Sequence, residues 1–387
     1  MALTRYGLKL PGTIYGGEQS LERIKEILTS VKATRVAAFT DESLRTLGLF
    51  DLVENQLKEA GVAYEVFGDI PAEPSYTDVQ EVADRFKRTG ADLVIACGGG
   101  SVMDAAKLAS VLVTDEYGVK DLLDDPGRAR KCVPTLMIPT TAGTGAECTP
   151  NAIVAVPERQ TKIGIVNDAM MSDYVILDVE LTRTLPRAIA ASTGVDAMAH
   201  CIECFTSTKS NPLSDGFALE GFDIIVNKLV RACDDSDATA EKAAMQLGAL
   251  YGGIAITASG TTAVHGLAYP LGGTYHMAHG VSIAMMLVPV MEFNEPACRS
   301  RFAAAWDRAY HGERVLKTEK EKSQALVAWM GDIVRHLDIP TSLKGFGVSS
   351  SDIDDLVEAG MQQQRLLVNN MREVSATDAR AIYERIM

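Results

Sequence analysis

Four of the six histidines in this 387-residue chain, His200, His265, His276 and His279, lie close together in its C-terminal half. Asp196 precedes His200 by four residues, so on a helix the two side chains project from one face. The carboxylate of Asp196 and the imidazoles of His200, His265 and His279 make a donor set that suits Fe²⁺ or Zn²⁺. Because no cysteine belongs to the set, a closed structural zinc site is disfavoured, and the pattern predicts a catalytic divalent metal site.

The segment between His265 and His279 contains Pro270 and several glycines within residues 266–273. Proline and glycine are typical of turns, so this composition predicts a fold-back that brings the two imidazoles together. A lone histidine is more often a core or surface residue than a ligand. The metal hypothesis therefore depends on the clustering and on the carboxylate one helical turn before His200.

A glycine-rich turn, Gly98-Gly99-Gly100-Ser101, follows one predicted strand and opens a predicted helix. Glycines let a backbone approach a ligand closely, and the free N–H groups of a helix N-terminus attract anions, so this turn suits a pyrophosphate. It is not a Walker A loop, because Lys107 lies seven residues after the last glycine. The alternative is a tight strand-to-helix turn that binds nothing.

A second loop, residues 139–147, follows the next predicted strand and carries Thr140, Thr141 and Thr144. Threonine hydroxyls at a strand end suit a second phosphate or the ribose beside a nicotinamide. Asp41 ends an earlier strand, where it could accept hydrogen bonds from an adenosine ribose and repel a 2′-phosphate, which favours NAD over NADP. Asp41 also precedes a helix, so an ordinary helix N-cap is an equally good interpretation.

Composition limits the classes of partner. Lys and Arg number 37 against 51 Asp and Glu, so the formal net charge is −14 and general nucleic-acid binding is disfavoured. No apolar stretch approaches the ~20 residues that span a membrane, and no secretory signal is visible. The seven cysteines have no framework spacing, which indicates a reducing compartment; the expected location is the cytoplasm. Cys201 and Cys204 lack a matching second pair and are interpreted as buried helical residues.

The elements that position these residues differ between the two halves of the chain. The first half alternates strand and helix patterns, which predicts a parallel sheet covered on both faces, with ligands at the carboxyl ends of the strands. Its clearest predicted strands are 35–39, 64–68, 92–97 and 135–138, and its clearest predicted helices are 44–60 and 76–88.

Helical periodicity dominates after Pro186. The sequence predicts a Rossmann-like α/β dinucleotide-binding domain over residues 1–186 and an all-α metal-binding domain over residues 187–387. Predicted helices in the second domain are 188–206, 212–234, 239–259 and 323–337.

These motifs together resemble the iron-containing (group III) alcohol dehydrogenase family, in the family's order and over nearly the whole chain. The resemblance implies an enzyme that interconverts a small primary alcohol or diol and its aldehyde, with a metal as Lewis acid and hydride transfer to or from a nicotinamide. It also implies assembly as a homodimer or larger homo-oligomer. The residues that carry it are Gly98–Ser101 with Asp104 and Lys107, Pro139–Thr141 with Gly143–Gly145 and Glu147, Gly194–His200 with Glu203, His265, and His279 with Gly280.

The resemblance also implies roles for individual residues. The metal, Fe²⁺ with Zn²⁺ left open, is expected on Asp196, His200, His265 and His279. Many family members have a histidine at the position of Tyr269, so the proton path of this chain differs from the common pattern. Tyr269 and His276 are the predicted proton-relay residues, and for each the alternative is packing or a hydrogen bond that orients a metal ligand. The residues expected to bind NAD, with NADP left open, are Asp41, Gly99, Gly100, Ser101, Asp104, Thr140, Thr141, Thr144, Lys162 and Leu181.

Two other functions share parts of this pattern. A zinc enzyme like the glycerol dehydrogenases or dehydroquinate synthases would have the same two-domain architecture but fewer metal ligands. A non-catalytic nucleotide-binding or metal-binding protein would have little need for both a hydride-cofactor loop and an open metal site. Net turnover of NADH with simple aldehydes distinguishes the predicted dehydrogenase from these alternatives.

Overall fold

The computed structural model describes residues 5–159 and 161–387. Leu10–Leu185 form one compact unit. Pro186–Met387 form a second unit, which also includes the described residues before Leu10. The chain thus crosses between the units twice, at the Lys9–Leu10 bond and at the Leu185–Pro186 bond.

The first unit is built around a parallel sheet. Its strands are β1 (Thr13–Gly16), β2 (Arg35–Phe39), β3 (Ala63–Phe67), β4 (Leu93–Gly98), β5 (Thr135–Pro139), β6 (Asn151–Val156), β7 (Thr161–Val166) and β8 (Tyr174–Leu177). Six of them form the sheet in the order β1-β8-β5-β4-β2-β3, and every neighbouring pair is parallel. The strands β6 and β7 pair with each other as a separate antiparallel hairpin.

Helices cover both faces of this sheet. They are α1 (Arg23–Val31), α2 (Glu42–Thr46), α3 (Asp51–Ala60), α4 (Tyr76–Lys87), α5 (Gly100–Val111) and α6 (Val119–Asp124). Alternate residues of β2 enter different cores: Val36 and Ala38 pack with α1 and α3, whereas Ala37 and Phe39 pack with α4 and α5. Burial on both faces explains why these strands are continuous apolar runs.

The topology of the sheet creates a switch point beside β2 and β4. From β2 the chain continues to β3 on one side, and from β4 it continues to β5 on the other side, so the direction of the connections reverses between β2 and β4. Open α/β sheets bind ligands beyond the carboxyl ends of strands at such a point.

The predicted helix over residues 44–60 is wrong in one respect, because it is two helices, α2 and α3. Gly48 lies between them with a φ of +71°, in the left-handed region that interrupts an α-helix. The apolar periodicity continues across this break, since both helices pack on the same face of the sheet. Periodicity alone could therefore not detect it.

The second unit contains helices and no β-strand among its described residues. Its helices are α7 (Arg187–Phe205), α8 (Pro212–Asp234), α9 (Thr239–Ser259), α10 (Ala263–Tyr275), α11 (His279–Ala309), α12 (Glu319–His336), α13 (Ile353–Met361), α14 (Gln364–Leu367) and α15 (Ala376–Glu384). The predicted fold class, a parallel α/β part followed by an all-helical part, is confirmed.

The turn predicted over residues 266–273 is wrong, because this segment is part of α10. Pro270 lies inside the helix. A proline ring crowds the carbonyl of the residue four positions earlier, which is Gly266 here. Every residue from Ala263 to Gly272 is buried, so tertiary packing outweighs the low helix propensity of proline and glycine. The chain turns later, at His276, which has a φ of +52°.

Among the described residues, no single helix is long and apolar enough to cross a membrane. The helices α9 and α10 meet the length and composition test only as a pair, and they are bent by 106° at the break between them.

Candidate functional site

The candidate metal ligands lie on three helices of the second unit. Asp196, His200 and Glu203 are spaced along α7 at intervals of four and three residues, so they lie on one face of that helix. His265 is the third residue of α10, and His279 is the first residue of α11. Residues distant in sequence are thus brought together by the starts of two helices and the middle of a third.

The four side chains converge on one oxygen. Asp196 Oδ1 lies 3.4 Å from His265 Nε2, 3.5 Å from His279 Nε2 and 3.6 Å from His200 Nε2. His265 Nε2 and His200 Nε2 are 2.9 Å apart. Two ligands on one ion with bonds of ~2.1 Å lie roughly 3.0–3.4 Å apart at octahedral or tetrahedral angles. These separations fit ligands of a single divalent cation: Asp196, His265 and His279 offer ligand atoms that all lie within 4.8 Å of one another, and His200 adjoins these three through Asp196 and His265.

Hydrogen bonding alone does not account for this arrangement. Asp196 Oδ1 is buried, yet it makes no hydrogen bond of good geometry among the described residues. A buried carboxylate oxygen in that state is costly, and a cation would satisfy it. The donor set of one carboxylate and three imidazoles also matches what Fe²⁺ and Zn²⁺ bind. The residues present therefore fit a divalent metal.

The cluster is open on one side only. The side chain of His279 is 30% exposed, whereas those of Asp196, His200 and His265 are 6% exposed or less. A small molecule could therefore approach beside His279. A catalytic metal site needs access of this kind, and a cation with four protein ligands would have to expand its coordination to admit a substrate oxygen.

Charge is balanced inside the cluster. Burial alone would raise the pKa of Asp196, but His200, His279 and His265 hold it well below its usual range. Burial alone would lower the pKa of His265, but Glu203 and Asp196 raise it to about 9. The cluster therefore favours a positive charge beside Asp196, and a cation that binds here would replace a proton.

A glycine allows α11 to begin close to α7. A Cβ atom on Gly280 would overlap the backbone carbonyl of Ser192 on α7. The missing side chain lets the first turn of α11 lie against α7, so that His279 reaches Asp196. Gly280 is thus a packing requirement of the metal site.

The two predicted relay residues lie in different surroundings. Tyr269 is buried, and its ring centroid is 6.1 Å from that of His279 and 6.4 Å from that of His265. His276 is exposed at the C-terminal end of α10. Among the described residues, Tyr269 makes ring contacts with the cluster and His276 makes none.

In the first unit, the two predicted cofactor loops lie side by side. They follow the neighbouring strands β4 and β5, and the Thr140 N–H donates to the Gly98 carbonyl at 3.1 Å. A Cβ atom on Gly100 would lie 3.0 Å from the Thr144 methyl carbon, and one on Gly99 would lie 3.8 Å from that of Thr141. The two loops therefore form one continuous surface.

The helix α5 starts in this surface at a residue with no side chain to cap it. Its N-cap is Gly99, so the N–H groups of the first turn, including that of Ser101, can bind an anion. Asp41, at the end of β2, accepts a hydrogen bond from the Leu44 N–H at 3.0 Å and thereby caps α2. The helix-cap interpretation of Asp41 is confirmed, and its role toward a ribose stays a prediction.

Two further predicted cofactor residues meet at Glu73. The Lys162 ammonium, from β7, lies 2.6 Å from Glu73 Oε1, and Ser101 Oγ accepts a hydrogen bond from the Glu73 N–H at 3.0 Å. Glu73 has a φ of +54°, which is strained for a residue with a side chain. The loop before α4 is thus tied to both α5 and β7.

Asp104 and Leu181, also predicted to bind the cofactor, are buried in the first unit. Asp104 Oδ1 binds the Lys107 ammonium at 2.9 Å, and Oδ2 accepts from the Ile153 N–H at 2.9 Å, so this carboxylate links α5 to β6. Leu181 is part of the core that includes α1 and α3. Their roles toward a cofactor stay predictions.

Family models match both units. The model described as iron-containing alcohol dehydrogenase matches residues 11–179, and the C-terminal model of the Fe-containing alcohol dehydrogenase family matches residues 190–387. The chain belongs to the iron-containing alcohol dehydrogenase family. The predicted family is confirmed, and with it the prediction of an alcohol-transforming oxidoreductase.

Relatives of this iron-containing alcohol dehydrogenase span almost the whole chain. "Long-chain-alcohol dehydrogenase 1" of Geobacillus thermodenitrificans is 34% identical over 378 residues, which cover 97% of this chain and 95% of the relative. A solved 1,3-propanediol oxidoreductase has a TM-score of 0.94 and 25% identity, covering 99% of this chain and 100% of its own. A solved sulfoacetaldehyde reductase of Bifidobacterium kashiwanohense, in complex with NAD⁺, has a TM-score of 0.88 and 25% identity, covering 99% of both chains.

Two contacts of this dehydrogenase were not predicted from its sequence. Glu203 is part of the motif that contains His200, but no role was predicted for it. Its spacing of seven residues from Asp196 places it on the helix face that carries the metal ligands Asp196 and His200. The contact between Glu73 and Lys162 joins residues 89 positions apart in the sequence and left no local signal. Cys201 and Cys204 are free and buried on α7, as predicted.

Proposed function

We propose that this protein is an NAD-linked, metal-dependent dehydrogenase that interconverts a small primary alcohol or diol and its aldehyde. The observation that carries the proposal is the convergence of three imidazole nitrogens on the buried oxygen of Asp196. Asp196, His200, His265 and His279 would hold Fe²⁺, with Zn²⁺ as the alternative. When bound, the cation supplies Lewis-acid polarisation of the substrate oxygen.

The α/β unit would hold the nicotinamide cofactor, which supplies the hydride when bound. Gly99, Gly100 and Ser101 would bind its pyrophosphate at the start of α5. Thr140, Thr141 and Thr144 would donate hydrogen bonds to the rest of the cofactor from the adjoining loop. Lys162, already paired with Glu73, would add ammonium N–H donors without adding a net positive charge.

A screen of aldehydes tests the proposed reaction. Protein loaded under anaerobic conditions with Fe²⁺ or Zn²⁺ is mixed with NADH and with short aliphatic, hydroxyl-bearing or sulfonate-bearing aldehydes. The proposal expects loss of the NADH absorbance band with at least one of them, and only in metal-loaded protein. Relatives named for a long-chain alcohol, a diol and sulfoacetaldehyde define the classes to include. NADH consumption that is independent of metal would contradict the proposal.

Asp41 is proposed to select NAD. We expect Asp41→Asn to raise kcat/KM for NADPH about tenfold while that for NADH changes little, because asparagine removes the charge that repels a 2′-phosphate. Asparagine is as good an N-cap as aspartate, so α2 should stay stable. Steady-state kinetics with both cofactors measure the change.

Asp41→Ala is the matched control for the cap. It removes the charge and also the acceptor for the Leu44 N–H, so it should show the same cofactor change with an added loss of about 1 kcal/mol in stability. An unchanged NADPH preference in both variants would show that Asp41 is a helix cap only.

Tyr269 is proposed to carry the proton relay, since it is the predicted relay residue with ring contacts to His265 and His279. We expect Tyr269→Phe to lower kcat by roughly 10²-fold and to remove one limb of the pH–rate profile. Metal content should stay at the wild-type level, because the phenol is not a proposed ligand. Tyr310→Phe, which removes a hydroxyl from an aromatic cluster at the end of α11, is the control.

An unchanged pH–rate profile in Tyr269→Phe would eliminate this residue as the relay. The same measurement on His276→Ala would then test the second predicted relay residue. His276 is exposed, so it could exchange protons with water directly.

We further propose that the enzyme acts in the cytoplasm as a homodimer or larger homo-oligomer. None of its seven cysteines, all of which lie in the described residues, forms a disulfide bond, which is consistent with a reducing compartment. No nucleic-acid or membrane partner is proposed, in line with the net charge of −14.

A further inference from the structure

We propose that Glu203 is a positioning residue that fixes the tautomer and the ring orientation of His265, so that Nε2 of His265 is the ligand atom. The proposal rests on the proposed function, because it concerns how the metal site is assembled. Glu203 itself is not expected to touch the metal or the substrate.

Glu203 is fully buried, and both of its carboxylate oxygens have partners. Oε2 is hydrogen-bonded to Nδ1 of His265. Oε1 accepts from the Thr262 N–H at 2.9 Å, the Thr262 hydroxyl at 2.8 Å and the Val264 N–H at 2.9 Å. The carboxylate thus joins α7 to the first turn of α10, where His265 lies.

This network decides which nitrogen of His265 carries the hydrogen. A buried carboxylate surrounded by donors accepts only, so the hydrogen between Oε2 and the ring must be on Nδ1. In the neutral ring, Nε2 then has a lone pair, and Nε2 is the atom that faces Asp196 and His200. Partners of this kind behind a metal-binding histidine fix both its tautomer and its orientation.

A purely structural role is the competing explanation, because the same carboxylate caps the N-terminus of α10. Glu203→Gln separates the two roles. The glutamine oxygen still accepts from the two backbone N–H groups of Thr262 and Val264, so the cap is kept. Its amide group then faces Nδ1 of His265 as a donor, which places the ring hydrogen on Nε2 and blocks ligation.

The experiment measures Zn²⁺ affinity by competition with a chromophoric chelator, together with the melting temperature of the metal-free protein. For E203Q we expect a 10- to 100-fold weaker Zn²⁺ affinity with a melting temperature close to that of wild type. The matched control is Glu295→Gln, a mostly buried carboxylate between α11 and α12 that binds Arg299 and Ser323, and it should keep the wild-type affinity.

The outcomes separate this inference from the proposed function. If wild-type protein binds Zn²⁺ and E203Q binds it as tightly, Glu203 is only a helix cap and the inference is overturned. If wild-type protein binds neither Zn²⁺ nor Fe²⁺, the proposed function fails, and this inference fails with it.

A second measurement does not depend on the folding of a variant. In zinc-loaded wild-type protein labelled with ¹⁵N-histidine, long-range proton–nitrogen spectra report which ring nitrogen carries hydrogen. We expect His265 to be protonated at Nδ1 and metal-bound at Nε2. A His265 ring with hydrogen on Nε2, or with Nδ1 unprotonated, would overturn the inference even if E203Q did not fold.

Discussion

Replacing His265 by alanine is expected to remove bound metal and to lower turnover at least ~10³-fold, because Lewis-acid stabilisation of the reacting oxygen is lost. His265 is the central ligand of the cluster, since its Nε2 lies within 3.4 Å of Asp196 Oδ1 and 2.9 Å of His200 Nε2. In addition, Nδ1 of His265 is hydrogen-bonded to the buried carboxylate of Glu203. Metal analysis and kcat of the purified variant measure the effect.

NADH affinity should stay close to wild type in His265→Ala, because Gly98–Ser101 and Thr140–Gly145 belong to the other unit. Fluorescence titration with NADH separates this result from general unfolding. His336→Ala is the matched control: His336 pairs with Asp234 on the surface of the same unit as His265, so its loss should leave metal content unchanged. A His265→Ala protein that turned over normally without metal would show that the site is assigned wrongly.

Adding one methyl group at Gly280 is expected to weaken metal binding at least tenfold and to lower stability by about 1–3 kcal/mol. The new Cβ atom would overlap the carbonyl of Ser192, and backbone cannot yield as a flexible side chain can. The start of α11 must then move away from α7, which draws His279 away from Asp196. Zn²⁺ titration and thermal unfolding of Gly280→Ala measure the two effects.

Gly216→Ala is the control for this substitution. Gly216 lies in α8, and an added Cβ atom there would meet nothing within 4 Å. Since alanine favours a helix over glycine, this variant should be as stable as wild type or about 0.5–1 kcal/mol more stable. If Gly280→Ala behaved like Gly216→Ala in both measurements, the close approach of α11 to α7 would not support the metal site.

Much of the fold follows from the sequence because its signals are local. The strands of the first unit are buried on both faces and therefore stand out as short apolar runs between amphipathic helices. In the second unit, the predicted bounds of α8 and α9 match the structure. The asparagine cap of α8, with Pro212 as its first helical residue, is a local signal of this type.

The errors occurred where hydrophobic periodicity does not determine the local structure. Pro270 and its neighbouring glycines have the composition of a turn, yet complete burial keeps them helical in α10. The residues on either side of Gly48 in the sequence do not mark the end of a helix, but the left-handed conformation of Gly48 divides one predicted helix into α2 and α3. Neither result could be read from hydrophobic periodicity.

In the candidate site, too, some features follow from local sequence patterns and others appear only in the folded structure. The spacing of Asp196 and His200 on one helix is a local pattern, and the clustering of His265 and His279 suggested the remaining ligands. The carboxylate of Glu203 contacts a histidine 62 residues away, and only the assembled helices show that contact. Ligand types were therefore accessible from the sequence, whereas the groups that orient the ligands were not.

The most direct test of the central claim is anomalous diffraction at the iron edge from crystals grown with Fe²⁺. The claim is that one cation is held jointly by Asp196, His200, His265 and His279. We predict a single strong anomalous peak within bonding distance of all four side chains. A peak bound by other residues, or no peak among these four, would contradict it.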